Sequence, residues 1–112
     1  LFDARTAAFG VEWQADETAT TLITSGTIPP LILVGIGNSP DRLDEYTFTP
    51  DPTLGRGGRG AAYLRFLVDE LKPFIDRAYR TRAERATTAI GGSSLGALFA
   101  LEACARRPDV FG

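Results

Sequence analysis

The stretch Ala89-Ile90-Gly91-Gly92-Ser93-Ser94-Leu95-Gly96-Ala97 decides how this chain is read. A short β-prone run, residues 86–90, ends at two glycines. Residues 96–105 then read as a helix with hardly any polar face, which predicts burial. Between them, Gly92-Ser93-Ser94-Leu95-Gly96 fits G-x-S-x-G, with Ser94 in the nucleophile position. A serine at the tip of a strand-to-helix turn is held in a strained backbone conformation with its hydroxyl lifted clear. Flanking glycines remove side chains that would collide with the neighbouring strand and helix. The Leu95 N–H would then point, from the helix N-terminus, toward a developing oxyanion. The plainer reading is a Gly-Gly-Ser-Ser loop with serine as N-cap. The order strand, glycine turn, helix favours the nucleophile.

Working outward, residues 61–79 are predicted helical. Leu64, Leu67, Val68, Leu71, Ile75 and Ala78 form one stripe, opposite Arg65, Asp69, Glu70, Lys72 and Asp76. Pro73 either kinks this helix or starts a second one. Residues 80–85 make a charged connector. Residues 31–36 (LILVGI) are a continuous apolar run of strand length, as expected of a strand covered on both faces in a parallel sheet. A helix is expected over about residues 11–25, with Glu12, Asp16 and Glu17 early and Gly26 as its stop. Trp13 is read as core. Residues 1–10 read as a loop.

Residues 41–60 read as a long irregular loop, where Arg42, Asp44, Glu45 and Tyr46 are either substrate contacts or a local ion pair, the latter favoured. Gly55 to Gly60 matches G-x-G-x-x-G but follows no strand, so a dinucleotide role is rejected; so is one at Gly35-x-Gly37, where Pro40 replaces the third glycine. A flexible loop is expected there. The order helix, strand, loop, helix, strand, turn, helix predicts an α/β fold with a parallel β-sheet flanked by helices.

The chain has 112 residues, 44% hydrophobic and 23% charged, with net charge -2. This bounds one small domain, excludes disorder, and gives no nucleic-acid or acidic-membrane signal. Cys104 is single and reads as a packed small hydrophobe. No apolar run reaches membrane-spanning length and no signal peptide is visible at the start; a soluble protein is expected, with the compartment left open and a cytoplasmic one only leaned toward. Methionine and histidine are both absent. A serine hydrolase of this type needs a histidine base after its nucleophile, so the chain is expected to be an internal fragment, inactive alone, of a longer protein.

These features together resemble a known family. Residues 28–36, Arg42-Leu43-Asp44-Glu45-Tyr46, residues 66–76 and Gly91 to Gly96 look like the esterases of the esterase D, enterochelin esterase and antigen 85 type, a branch of the α/β-hydrolases. The resemblance implies a partial α/β-hydrolase fold over residues 1–112, with N-terminal strands and the C-terminal acid and histidine segment missing. It implies a serine carboxylesterase acting on an ester or thioester through an acyl-enzyme, with Ser94 as nucleophile and the Leu95 backbone N–H in the oxyanion hole. It implies no metal or organic cofactor and a small-molecule ester partner. The alternatives are an acyltransferase on the same fold, a non-catalytic α/β-hydrolase-like binding domain, and phosphate binding at Gly91-Gly92-Ser93-Ser94.

Overall fold

The computed structural model describes Asp3, Arg5 and residues 10–112, so most of the expected loop over residues 1–10, and its Leu1 and Phe2, lies outside the described residues. Two compact units divide the chain, Leu1–Gly37 and Asn38–Gly112.

The first unit carries helix α1, Ala15–Thr24, with Asp16 and Glu17 in its first turn. Gly26 stops it as predicted. At φ +72° it lets its own N–H reach Ile23 O at 3.0 Å and the Thr27 N–H reach Leu22 O at 2.9 Å. Both are bonds of a Schellman cap, which needs a left-handed residue just past the helix. Trp13 is not core: it precedes the helix and stays 53% exposed. The apolar run 31–36 forms no ladder, and Leu31, Ile32, Leu33, Val34 and Ile36 are 38–49% exposed. A parallel strand gains its definition from hydrogen-bonded neighbours on both sides. None pairs with this run among the described residues, so the expected parallel sheet is absent there.

In the second unit, helix α2 (Arg42–Glu45) leads to a two-residue antiparallel ladder, β1 (Pro50–Asp51) with β2 (Arg56–Gly57). This is the sole sheet among the described residues. The glycine run predicted to be flexible is tightly packed at Gly57, Gly58 and Gly60, while Gly55 stands in open space. A Cβ on Gly57 would meet Thr47 Oγ1 at 2.8 Å, and one on Gly60 would meet Thr47 O at 2.8 Å and the Phe48 ring at 2.9 Å. Glycine is needed here for close backbone approach, not mobility.

Helix α3 (Gly60–Arg65), a wide π turn (Phe66–Leu71) and α4 (Lys72–Ala78) form the predicted long helix. The Lys72 N–H reaches Leu67 O, five residues back. Pro73 has no N–H to continue the ladder and its ring would crowd the preceding turn. Widening that turn relieves the crowding without ending the helix. Residues 86–90, predicted as a strand, instead begin in a 3-10 turn, Arg85–Thr87, and pair with no strand among the described residues. Thr87 Oγ1 donates to Arg82 O at 2.8 Å, closing the chain locally. The C-terminal residues fold back on this segment, with Gly112 N–H bonded to Thr88 O at 3.1 Å and Phe111 buried.

Helix α5, Leu95–Arg106, centres the core. Phe99 and Ala103 pack with Leu64, Leu67, Val68 and Phe111. Phe99 also meets the rings of Tyr63, Phe48 and Tyr46 at 5.1, 5.5 and 5.8 Å between centroids. Cys104 packs against this cluster, as its apolar helix suggested. The helix is not buried all round, however. Leu98 is 49% and Leu101 70% exposed, because only one face meets a packing partner.

Phe99→Ala should lower the unfolding free energy by about 3–5 kcal/mol, read by denaturant titration. Asp76 is held below the usual carboxylate range by the Lys72 ammonium and then the Thr81 hydroxyl, each at 2.7 Å. Its folded pKa is thus lower than its unfolded one. The stabilisation is complete above the ordinary carboxylate pKa of about 3.9 and is lost as pH falls through the lowered value. Asp76→Asn should therefore melt below wild type at pH 7, with the deficit shrinking in acid.

Candidate active site

The backbone around Ser94 makes a turn of defined type. Ser94 has φ 54° and ψ -125°, and the Gly96 N–H bonds to Ser93 O at 2.8 Å. Those angles and that bond define a type II′ turn with Ser94 at its first corner, a position usually given to glycine. A serine there carries strain of about 1–3 kcal/mol. Of the described residues, only Gln14 shares a positive φ without being glycine.

The two flanking glycines differ in purpose. A Cβ on Gly92 would lie 2.4 Å from the carbonyl carbon of Gly96 and 2.5 Å from its oxygen. The chain before the turn is therefore pressed against the first helical turn after it. A Cβ on Gly96 would meet nothing closer than Tyr46 Cε2 at 3.9 Å, an ordinary contact. The collision that the sequence suggested for both glycines arises within the described residues only at Gly92, and from the helix's own backbone.

Helix α5 begins at Leu95. The Ala97 and Leu98 N–H groups bond to Ser94 O at 3.0 and 3.2 Å. The Leu95 N–H has no hydrogen-bond partner among the described residues, as befits the first residue of a helix. Ser94 is exposed and makes no side-chain cap, which removes the plain N-cap reading of its hydroxyl. The turn thus presents one free hydroxyl beside one free amide at the positive end of a helix.

The four residues singled out in the loop over residues 41–60 have found partners. Asp44 accepts from the Arg56 guanidinium at 2.8 Å and from the Gly57 N–H. Glu45 accepts from Ser39 Oγ at 2.7 Å. The local ion pair is thus the structural outcome for Asp44. Arg42 lies over the Tyr46 ring, 5.9 Å from its centroid. Tyr46 in turn approaches Tyr63, whose phenol pKa is pushed upward by burial and then by Tyr46. The sequence named Tyr46 among the loop's substrate contacts or local ion pair, but its place beside the first turn of α5, fifty residues on, was not legible there. No helix among the described residues is long and apolar enough to cross a membrane.

Comparison with known proteins gives the family. A family model described as "Putative esterase" matches residues 1–112, and the chain belongs to that family. Membership supports an α/β-hydrolase-like fold. The chain is 33% identical over 90 residues to the uncharacterized protein YbbA of Bacillus subtilis (strain 168), covering 76% of this chain and 36% of that protein. It is 32% identical over 104 residues to an endo-1,4-beta-xylanase/feruloyl esterase of Xylanibacter ruminicola, covering 91% of this chain and 13% of that protein. With the ferri-bacillibactin esterase BesA of Bacillus subtilis it shares 34% over 98 residues, covering 73% of this chain and 33% of that protein. The chain therefore spans little more than a third, or less, of these relatives. No solved structure gives a significant match.

Three substitutions separate the backbone constraints. Gly92→Ala should cost about 3 kcal/mol or more, because backbone must move. Gly96→Ala should stay within about 1 kcal/mol of wild type. Ser94→Gly should stabilise by about 1 kcal/mol, since it relieves the positive φ at some entropic cost. Thermal melts of the three variants beside wild type check the order.

Proposed function

We propose that the protein containing this chain is a serine carboxylic ester hydrolase and that Ser94 is its nucleophile. The observation that carries this reading is the Ser94 conformation: an exposed hydroxyl at φ 54°, at the mouth of helix α5, beside the free Leu95 N–H. The names of two relatives, a feruloyl esterase and a ferri-bacillibactin esterase, support ester hydrolysis as the reaction class. They also favour a small-molecule ester as substrate.

In this mechanism Ser94 Oγ attacks the ester carbonyl carbon as its proton passes to a general base. The tetrahedral oxyanion forms next to the Leu95 N–H and the helix dipole. Collapse expels the alcohol, which takes up the proton, and leaves an acyl group on Ser94. Water then repeats the sequence and releases the acid. The 112 residues contain no histidine, so the base belongs to another part of the protein. The carboxylates before Ser94 are not candidates for the triad acid, which follows the nucleophile in this class. In the same reading, residues 31–36 are a strand of a parallel sheet whose partners lie elsewhere in the protein. The wide exposure of their apolar side chains supports it.

The full-length protein should gain one adduct at Ser94 on treatment with a fluorophosphonate, read by peptide mass spectrometry. Ser94→Ala should lose both the adduct and at least about 10³-fold in kcat on a chromogenic ester. An active Ser94→Ala variant would refute the assignment.

A further inference from the structure

Asp44 is the carboxylate most heavily used in the segment before α3, and no catalytic step above uses it. Its side chain is 17% exposed. Oδ2 accepts two bonds from Arg56, at 2.8 and 3.2 Å, while Oδ1 accepts the Gly57 N–H. Its backbone carbonyl accepts the Arg59 N–H at 2.9 Å. Asp41, one turn earlier, lies 3.8 Å from Arg56 and 3.4 Å from Arg59. Helix α2 is thus fastened to β2 by the Asp44 side chain, and to the residue before α3 by the Asp44 carbonyl and Asp41. A helix of four residues has little stability of its own, so its position depends on such fastening.

Two residues beyond Asp44 stands Tyr46. Its ring edge lies 3.9 Å from where a Gly96 side chain would begin, in the first turn of α5. Its ring also lies 5.3 Å from that of Tyr63 and 5.8 Å from that of Phe99. The chain from Asp44 to Tyr46 therefore links the Asp44–Arg56 ion pair to the edge of the Ser94 turn.

We propose that Asp44 is a positioning residue: through its clasp on Arg56 and Gly57 it holds Tyr46 as a wall of the substrate's approach to Ser94. The proposal rests on the reading of Ser94 as nucleophile. It gives the glycine run a purpose, because Gly57 and Gly60 bring the backbone close enough to reach Asp44 and Thr47. Asparagine in place of Asp44 puts an N–H2 donor where one carboxylate oxygen now accepts, so Arg56 on one side and the Gly57 N–H on the other cannot both be met in the present geometry. Tyr46 would then lose this support and keep its ring contacts to Tyr63 and Phe99, while Ser94, Leu95 and the turn stay as they are.

The test is a double-mutant cycle in the full-length protein, with Asp44→Asn, Tyr46→Ala and the pair, using p-nitrophenyl butyrate as substrate. Each single variant should raise KM roughly tenfold with kcat within about twofold, and the pair should resemble Tyr46→Ala alone. A merely structural Asp44 would lower the melting temperature but multiply its effect on KM into that of Tyr46→Ala, and that additivity would overturn the proposal. So would an unchanged KM in Asp44→Asn. Should Asp44→Asn fail to fold, Arg56→Gln breaks the same clasp from its exposed end and enters the same cycle. Fluorophosphonate labelling of the wild type separates the two levels. Labelling at Ser94 with an additive cycle sinks only the role of Asp44, whereas catalysis without labelling at Ser94 sinks both.

Discussion

The contact between the backbones of Gly92 and Gly96 governs this structure. With only hydrogen at Gly92, the chain entering the turn can lie on the first turn of α5; a carbon there would sit 2.4 Å from a carbonyl carbon. That approach leaves a two-residue corner, and Ser94 is forced through the angles of a type II′ turn to make it. The helix must then start at Leu95, with its first amide unpaired. Phe99 follows one turn later and gathers the aromatic rings of Tyr46, Phe48 and Tyr63. Site and core are therefore set by one steric fact, and they share one helix.

Strain and packing balance within that helix. Ser94 stores strain of about 1–3 kcal/mol, and a single buried aromatic such as Phe99 contributes a similar or larger amount. The helix can hold its first corner in an unfavourable conformation because its next turn is anchored. This is the expected division between a reactive tip and a rigid support. The segment from Asp41 to Gly60 adds a second support, made from charge and close backbone contact instead of apolar area.

Helices were legible in the sequence because their signal is internal. The stripe of Leu64, Leu67, Val68 and Leu71 repeats within one element, and Gly26 marks an end by local backbone chemistry. Strands were not, because a strand is defined by its partners. Residues 31–36 and 86–90 have the right composition, yet neither forms a ladder among the described residues. The glycine run was misread because sequence does not distinguish a glycine chosen for freedom from one chosen for proximity; Gly57 and Gly60 are of the second kind. Pro73 left two options open; it stands in the first turn of α4, which follows the π turn without a break. At the candidate site, the G-x-S-x-G spacing pointed to Ser94 and Leu95, while the approach of Tyr46 from fifty residues away was invisible.

Family membership gives the class of protein, and the geometry of Ser94 gives the reading a specific atom. The most direct measurement is a crystal structure of the full-length protein after reaction with a phosphonate ester. Continuous density from Ser94 Oγ to phosphorus, with the phosphoryl oxygen about 3 Å from the Leu95 N–H, is the result this account predicts. Density on another residue, or a phosphonate on Ser94 whose oxygen turns away from Leu95, would contradict it.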